Sequence, residues 1–235
     1  KLKPADELAQ RLVGSEMCIR DSYYNAAMEG TSNLYFAPLS GKPRPVTKGK
    51  HMLRVTDIGK GGLAVGSLSS YHIPTNLVSF TIRKPSQIQT LYVSNKTHLS
   101  EVKLGEVEEI WYKSVDEFRI QGWIVKPPDF TPSKRYPLIL RIHGGPHAMY
   151  NGGFDFKNQD HAANGYVVLY TNPRGSTSYG EKFAQLIHHD YPGDDFYDLN
   201  SGVDAAIKKG YIDEKNLFVT GGSGGGVLTC WMIGR

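Results

Sequence analysis

The sequence predicts an α/β fold, and three observations carry that prediction. Apolar strand patterns alternate with helical patterns between residues 138 and 233, as a sheet covered by helices requires. Two of the strand patterns, residues 138–142 and 217–220, run directly into glycine-rich turns. An apolar stretch of helical length, residues 225–233, follows the second turn. A buried strand, a sharp turn and a helix in this order indicate one repeating unit of an α/β sheet.

The other strands follow from their periodicity. Residues 118–126 (FRIQGWIVK) alternate between apolar and polar side chains, which predicts a half-exposed first strand. Residues 138–142 (LILRI) and 166–172 (YVVLYTN) are almost entirely apolar, which predicts buried strands.

Two helices are predicted between these strands. Each shows an apolar face at helical spacing, with members Phe183, Leu186 and Ile187 for the first and Phe196, Leu199, Val203, Ala206 and Ile207 for the second. Asp194 or Asp195 is the expected N-cap of the second helix, and Gly210 is its stop signal.

The turn at residues 221–225 (GGSGG) is the candidate catalytic site. It presents Ser223 between an apolar strand and an apolar helix, the context in which a serine hydroxyl acts as a nucleophile above a sheet edge. A nucleotide-binding loop is excluded, because the run that starts at Gly221 lacks the Lys and Ser/Thr that such a loop uses. From the motif alone, a purely structural turn stays open as the alternative.

A second glycine pair, in residues 143–146 (HGGP), favours the catalytic interpretation. Acyl transfer needs two N–H donors at the developing oxyanion. The amide after the nucleophile, that of Gly224, supplies one, and a loop after an early strand supplies the other. The residues 143–146 follow the strand at 138–142 and suit the second role, although in isolation they are equally an ordinary Gly-Pro loop. His143 precedes the serine, so we expect it to anchor the loop rather than to act as the base.

From residue 115 to 235 the chain resembles the first half of the catalytic domain of the prolyl oligopeptidase (S9) family of serine peptidases. The matching segments are FRIQGWIVKPPDF, YPLILRIHGGPH, NGYVVLYTNPRGSTSYG, DYPGDDFYDLNSGVDAAI and VTGGSGGG. The acylaminoacyl-peptidase-like and dipeptidyl-peptidase-like branch of the family fits best. The resemblance implies an α/β-hydrolase fold, Ser223 as nucleophile, and Gly224 and Gly145 as the oxyanion-hole amides.

Two departures from the family pattern matter. Many relatives carry a tyrosine where this chain has Gly224, so a side chain that could line the pocket is missing here. In this fold the acid and the histidine of the triad follow the serine, and they map to no residue of this chain. The resemblance therefore implies a truncated α/β-hydrolase fold, and we expect the chain itself to be inactive.

Residues 23–114 differ in composition from the rest of the chain. They are rich in β-branched and aromatic residues, and residues 61–68, 76–83 and 90–95 predict short strands. A β-sandwich edge is the default interpretation of such a pattern. In front of an S9-like catalytic part, residues 23–114 resemble the last blades of the family's β-propeller, with too few blades to close a ring. The basic run at residues 42–50 is interpreted as a solvated hairpin loop, because it lacks interleaved aromatic residues.

The first 22 residues fit neither part. Residues 13–22 (VGSEMCIRDS) resemble the translated read-through of a sequencing adapter, so residues 1–22 are expected to be non-native. The alternative is a genuine amphipathic N-terminal helix. The predicted organisation is thus a non-native segment (1–22), a partial β-propeller (23–114) and the N-terminal part of a peptidase domain (115–235).

Composition adds few constraints. A net charge of +4 spread along the chain implies no particular partner, and no apolar run reaches the eighteen residues that a membrane helix needs, so neither a nucleic acid nor a membrane is expected as a partner. The two cysteines, Cys18 and Cys230, form no disulfide framework. The scattered histidines, including the adjacent His188 and His189 expected on different faces of a helix, make a metal site improbable. No cofactor is expected, and neither the compartment (cytoplasmic or periplasmic) nor the oligomeric state is defined.

The predicted function is therefore that of a fragment of a serine peptidase that cleaves short peptides through an acyl-enzyme at Ser223. Two alternatives remain from the sequence. One is an α/β-hydrolase esterase with the same elbow, and the other is a non-catalytic binding module of propeller type.

Overall fold

The structure, a computed structural model, describes residues 21–235. The segment predicted to be non-native, residues 1–22, lies outside this range except for Asp21 and Ser22, which begin the first strand. The described chain divides into two compact units. Residues 21–101 with Asn151–Phe154 form the first unit, and Val102–Tyr150 with Asp155–Arg235 form the second.

The first unit is built on one mixed sheet. Within the described residues its seven strands follow the order β1-β2-β4-β5-β6-β7, and β3 pairs with β2. They are β1 (Asp21–Met28), β2 (Thr31–Pro38), β3 (Arg44–Pro45), β4 (Met52–Ile58), β5 (Leu63–Ser70), β6 (Ile73–Thr81) and β7 (Gln89–Tyr92), and a short helix α1 (Lys96–Ser100) follows. All pairs are antiparallel except the single bridge between Ser32 and Met52. The strands expected at residues 61–68, 76–83 and 90–95 are thus observed as β5, β6 and β7.

One face of this first sheet holds a small core. Its buried members are Leu34, Leu53, Val55, Ala64, Val78 and Phe80. The basic run at residues 42–50 is mostly exposed, as expected for a solvated loop. Thr47 is the buried residue in it, and its hydroxyl accepts a hydrogen bond from the Leu34 amide and donates one to the Asn33 side chain.

The second unit is an α/β unit, which confirms the predicted fold class for this part of the chain. Its sheet has the order β12-β10-β11-β9-β8. The strands are β8 (Val107–Lys113), β9 (Arg119–Val125), β10 (Tyr136–Ile142), β11 (Val167–Asn172) and β12 (Ile212–Gly221). β10 runs parallel to both β11 and β12, whereas β9 is antiparallel to β8 and β11. The compact units divide after residue 101, whereas the predicted domain boundary lies after residue 114. The segment between the two boundaries contains β8, which belongs to the second sheet. The domain division at residue 114 stays a prediction.

Four helices belong to the second unit. They are α2 (Phe156–Ala163), α3 (Glu181–Ala184), α4 (Asp195–Ile207) and α5 (Gly224–Ile233). Its apolar core joins β8 to β12 with α4 and α5, and includes Leu138, Leu140, Leu169, Leu199 and Leu228. Within residues 21–235, no helix combines the length and the apolarity needed to cross a bilayer.

Strand β9 corrects one expectation. The alternation in residues 118–126 predicted a half-exposed strand, yet every residue from Ile120 to Val125 is buried. The reason is that helices α2 and α4 both pack on β9, so neither face of the strand is left to solvent. The polar side chain of Gln121 finds partners inside the protein, because its amide nitrogen donates to Glu109 and its amide oxygen accepts from the Tyr179 hydroxyl. The neighbouring Trp123 stacks on Tyr170.

The helical predictions between β11 and β12 need two corrections. The face of Phe183, Leu186 and Ile187 does not form one helix, because α3 ends after one turn and a 3₁₀ turn, Gln185–Ile187, follows it. His188 and His189 therefore lie beyond the helix, and their ring centroids are 3.9 Å apart instead of on opposite faces.

The N-terminus of α4 differs in detail from its prediction. Asp194 occupies the N-cap position, but its side chain does not cap the helix. It approaches Arg174 instead, with 3.1 Å between its Oδ2 and Nη1, because a buried guanidinium attracts the nearby carboxylates. Gly210 follows α4 with a positive φ of 85°, as a helix stop requires.

Candidate active site

Ser223 lies at the junction between β12 and α5, and its residue is exposed. Its φ of 56° and ψ of −123° fall in a region that few residues other than glycine adopt. A strained serine between a strand and a helix is the geometry of a nucleophile elbow. Because Ser223 is also the N-cap of α5, its hydroxyl stands at the positive end of a ten-residue helix, where negative charge is stabilised.

The turn is possible because the backbone packs closely around Gly225. A Cβ added at Gly225 would lie 2.3 Å from the Ile142 carbonyl oxygen, and one added at Gly221 would lie 2.4 Å from the Gly225 carbonyl oxygen. Real Cβ atoms do not approach oxygen so closely, so both positions require glycine. The start of α5 is thus held against the end of β10.

The loop after β10 meets the elbow at the same sheet edge. A Cβ on Gly144 would lie 3.3 Å from the Ser223 Cβ, and a Cβ on Gly224 would lie 3.1 Å from the Gly145 carbonyl carbon and oxygen. Gly145 adopts a φ of 127°, which favours glycine. The structure therefore brings the three residues expected from the sequence, Ser223, Gly224 and Gly145, into one place.

His143 anchors this loop through both of its ring nitrogens. Its Nδ1 lies 2.8 Å from the Gly144 carbonyl oxygen, and its Nε2 lies 3.0 Å from the Ser176 hydroxyl. Burial lowers the pKa of His143, so the ring is neutral at neutral pH. These contacts agree with the expectation that His143 holds the loop rather than serving as the base.

The loop that carries Ser176 is fixed by a buried ion pair. Arg174 and Asp198 are 4% and 0% exposed, and the guanidinium binds the carboxylate through two bonds of 2.9 Å, from Nε to Oδ2 and from Nη2 to Oδ1. The Arg174 amide donates to the same Oδ2 at 2.8 Å. Helix α4 thereby holds the segment after β11, and Ser176 hydrogen-bonds Pro173 within that segment.

Sequence reasoning missed three residues that support the elbow. Arg174 and Ser176 follow the carboxyl end of a parallel strand, where α/β sheets assemble their sites, and that position was a usable signal. Tyr191 carried no such signal. Its hydroxyl donates a 2.6 Å hydrogen bond to the Gly224 carbonyl oxygen across 33 residues of sequence.

The described part of the chain holds no general base at the elbow. Among residues 21–235, no imidazole or carboxylate hydrogen-bonds the Ser223 hydroxyl. The same residues hold no group of three or more His, Cys, Asp or Glu side chains that could bind a metal ion. The arrangement thus places an exposed serine beside the glycine backbone of two loops.

Comparison with known proteins places this geometry in a family context. Residues 153–235 match the model of the prolyl oligopeptidase family, Peptidase_S9. An uncharacterized peptidase of Bacillus subtilis is 34% identical over 209 residues, which are 88% of this chain and 32% of the relative. A dipeptidyl-peptidase 5 of Porphyromonas gingivalis is 29% identical over 216 residues, 91% of this chain and 31% of the relative. The chain spans about a third of the length of the curated relatives it matches.

Solved structures of acylaminoacyl peptidases are similar to this chain. An acylaminoacyl peptidase of Pyrococcus horikoshii superposes with a TM-score of 0.82 at 27% identity, over 97% of this chain and 36% of that one. An acylaminoacyl peptidase in complex with Z-Gly-Gly-Phe-chloromethyl ketone superposes with a TM-score of 0.83 at 27% identity, over 96% of this chain and 35% of that one. These matches confirm the family resemblance expected from the sequence.

Proposed function

We propose that Ser223 is the nucleophile of a serine peptidase, from the premise that the chain matches the prolyl oligopeptidase family of peptidases. The observation that carries the proposal is the approach of the loop at residues 143–146 to the elbow, with 3.3 Å between a Cβ on Gly144 and the Ser223 Cβ. A structural turn has no need of a second glycine loop against its serine. Acyl transfer does, because the oxyanion requires two N–H donors.

The proposed chemistry assigns one role to each residue. The Ser223 Oγ attacks the carbonyl carbon of a peptide bond, and the carbonyl oxygen takes up negative charge. The amides of Gly224 and Gly145 bind this oxyanion, and the N-terminus of α5 adds its dipole. Collapse of the tetrahedral intermediate expels the amine and leaves an acyl-enzyme on Ser223, which water then hydrolyses.

Proton transfer in this scheme needs a base that the described residues do not place at Ser223. We assign that role to a histidine oriented by an acid, neither of which is among residues 21–235. Loss of the base from a serine triad costs on the order of 10⁶ in kcat. The 235-residue chain on its own is therefore expected to hydrolyse peptides only slowly.

The substrate class follows from the relatives. Dipeptidyl-peptidases and acylaminoacyl peptidases are the named matches, and one such enzyme is bound to a peptide chloromethyl ketone. We assign short peptides as the substrates of this site. Strands β1 to β7 are proposed to correspond to blades of the β-propeller that accompanies the catalytic domain in this family, because the superposition on an acylaminoacyl peptidase covers 97% of this chain, these strands included.

The test is covalent labelling of the full product of the gene with a fluorophosphonate, followed by mass mapping of the modified peptide. Label on Ser223 that is lost in Ser223→Ala is the expected result. Ser201→Ala, a half-buried serine on α4, is the matched control and should label normally. Equal labelling of the native protein and Ser223→Ala would overturn the assignment.

Substrate assays separate the peptidase from the esterase that shares the elbow. The full product should release the anilide from dipeptidyl or N-acylaminoacyl anilides faster than it hydrolyses simple alkyl esters. The reverse order would favour an esterase, and no turnover with no labelling would favour a binding module.

A further inference from the structure

The elbow of this chain contains an unusual run of three glycines after the nucleophile. Gly224, Gly225 and Gly226 form the first turn of α5. Each glycine in a helix leaves the backbone freer than an alanine would. The N–H of Gly224 is a proposed oxyanion donor, so its direction depends on backbone angles that no side chain at position 224 restrains. The Ser223 carbonyl, which shares a peptide group with the Gly224 N–H, accepts from the Gly226 and Val227 amides at 2.9 and 3.1 Å. A contact from outside α5 at the Gly224 carbonyl adds a second restraint on the same residue.

Tyr191 is placed to do this. It belongs to the segment before α4, it is half-buried, and its ring packs against the apolar core of the second unit. Its hydroxyl donates to the Gly224 carbonyl oxygen at 2.6 Å. The bond crosses from one loop to the first turn of α5, so it fixes the Gly224 backbone from outside the helix.

Tyr191 also occupies the space that a side chain at position 224 would need. A Cβ built on Gly224 would lie 3.0 Å from the Tyr191 hydroxyl oxygen and 3.1 Å from the Gly145 carbonyl group. Those distances are tighter than ordinary van der Waals contact, so a larger residue at 224 requires the phenol to move. Gly224 and Tyr191 are a matched pair in this chain.

The segment that carries Tyr191 is itself firmly held. The buried Asp195 carboxylate accepts hydrogen bonds from the Gly193 amide at 2.7 Å and from the Phe196 amide at 3.1 Å. The neighbouring Asp194 contacts Arg174, which joins the same segment to the loop after β11. A fixed platform is what a hydroxyl needs if it is to restrain another part of the backbone.

We propose that Tyr191 is a positioning residue that clamps Gly224 through its hydroxyl and so aims the Gly224 amide at the oxyanion. The role in aiming the donor rests on the proposed function of Ser223, whereas the clamp itself does not. A clamp predicts that removing the hydroxyl frees the first turn of α5, and that a Cβ at position 224 is less disruptive once the hydroxyl oxygen is gone and only the Gly145 carbonyl group limits its space.

The experiment compares Tyr191→Phe, Gly224→Ala and the double variant in the full product of the gene. Hydrogen exchange of the peptide that spans residues 223–230, read by mass spectrometry, reports the clamp without any need for activity. The rate of fluorophosphonate labelling of Ser223 reports the oxyanion donor, because the phosphoryl oxygen occupies the same site. Tyr197→Phe, a nearby tyrosine that is 43% exposed, is the matched control.

Tyr191→Phe should raise exchange in that peptide and slow labelling by roughly 2- to 10-fold, the equivalent of one net hydrogen bond. Tyr197→Phe should change neither. Gly224→Ala should slow labelling in both backgrounds, because its Cβ also meets the Gly145 carbonyl group, but by a smaller factor in Tyr191→Phe, where the hydroxyl oxygen is gone. Unchanged exchange in Tyr191→Phe would overturn the clamp. Faster exchange with unchanged labelling would overturn the positioning role. A native protein that never labels at Ser223 would refute the proposed function, and exchange would still decide the clamp.

Discussion

The Nε2 atom of His143 lies 3.0 Å from the Ser176 hydroxyl, and this contact joins the loops at the carboxyl ends of β10 and β11. Ser176 is fully buried, and its own segment is tied to α4 by the pair of Arg174 and Asp198. The glycine loop beside Ser223 is therefore supported through side chains that never reach the elbow. The geometry of the proposed oxyanion site depends on this support.

Replacing Ser176 by alanine should loosen the glycine loop. The change leaves the half-buried His143 ring without its Ser176 partner, which costs about 1–3 kcal/mol. We expect the midpoint of urea unfolding to fall and amide exchange of residues 143–148 to rise. Ser201→Ala should leave both quantities near the native values. A native exchange rate in Ser176→Ala would show that the contact does not hold the loop.

Removing the carboxylate of Asp198 should be the most damaging single change in this region. Asp198→Ala removes the bidentate partner of a guanidinium that is 4% exposed and leaves it the contacts with Asp194 and Asp116, so the cost should approach that of a broken buried pair, about 3–5 kcal/mol. Urea unfolding measures the loss. Asp160→Ala, at an exposed aspartate of α2, is the control and should shift the free energy of unfolding by less than about 0.5 kcal/mol. Equal effects would contradict a structural role for the pair.

The steric requirement at Gly225 gives a sharp contrast with Gly222. A methyl group at Gly225 would lie 2.3 Å from the Ile142 carbonyl oxygen, so Gly225→Ala must push α5 away from β10, at a cost of about 1–3 kcal/mol. A methyl group at Gly222 meets nothing within 4 Å, so Gly222→Ala should be tolerated. Thermal unfolding of the two variants tests this, and similar melting temperatures would mean that α5 relaxes freely.

The lowered pKa of His143 predicts a defined pH dependence. Burial disfavours the imidazolium, so the folded protein binds the proton less readily than the unfolded chain, whose histidine titrates near pH 6.5. The contribution of His143 to stability is therefore complete above pH 6.5 and is lost as the pH falls from there through the lowered folded pKa.

The variant His143→Gln should remove that contribution. Its free energy of unfolding should change less than that of the native protein between about pH 7 and pH 5. The pKa of His51 is also lowered by burial, but it contributes equally to both proteins and cancels in the comparison. Identical pH profiles would show that the proton on His143 does not affect folding.

The elbow and its glycine loop could be predicted because short-range sequence determines them. The order of strand, GGSGG and helix fixes where Ser223 lies, and the pair Gly144-Gly145 follows a buried strand. Periodicity likewise located β10 and β11 to within two residues. Strand β12 begins at Ile212, earlier than its apolar run at 217–220, because Ile212 already pairs with Tyr136. The polar residues 213–216 of that extension show no strand pattern, so the sequence did not predict it.

The supporting contacts could not be predicted because they depend on tertiary structure. Strand β9 is buried from Ile120 to Val125 because helices α2 and α4 pack on it, which its alternating pattern cannot reveal. Tyr191 reaches Gly224 and Arg174 reaches Asp198 across 33 and 24 residues of sequence, and no local propensity encodes such a pairing. The N-cap of α4 was correctly located, but competition from Arg174 decided what the Asp194 side chain does.

The edge of the second sheet predicts how the 235-residue chain behaves in solution. Within the described residues β12 pairs only with β10, and Leu217 and Phe218 are 42% and 49% exposed on it. Unpaired backbone groups beside apolar side chains are a template for pairing with another chain. We expect this chain to elute from size-exclusion chromatography as associated species and to melt over a broad range. Leu217→Lys should reduce the association, because a charge on an edge strand opposes pairing, whereas Leu39→Lys, at a residue 72% exposed in the first unit, should not. A monodisperse native monomer with a sharp cooperative transition would refute the prediction.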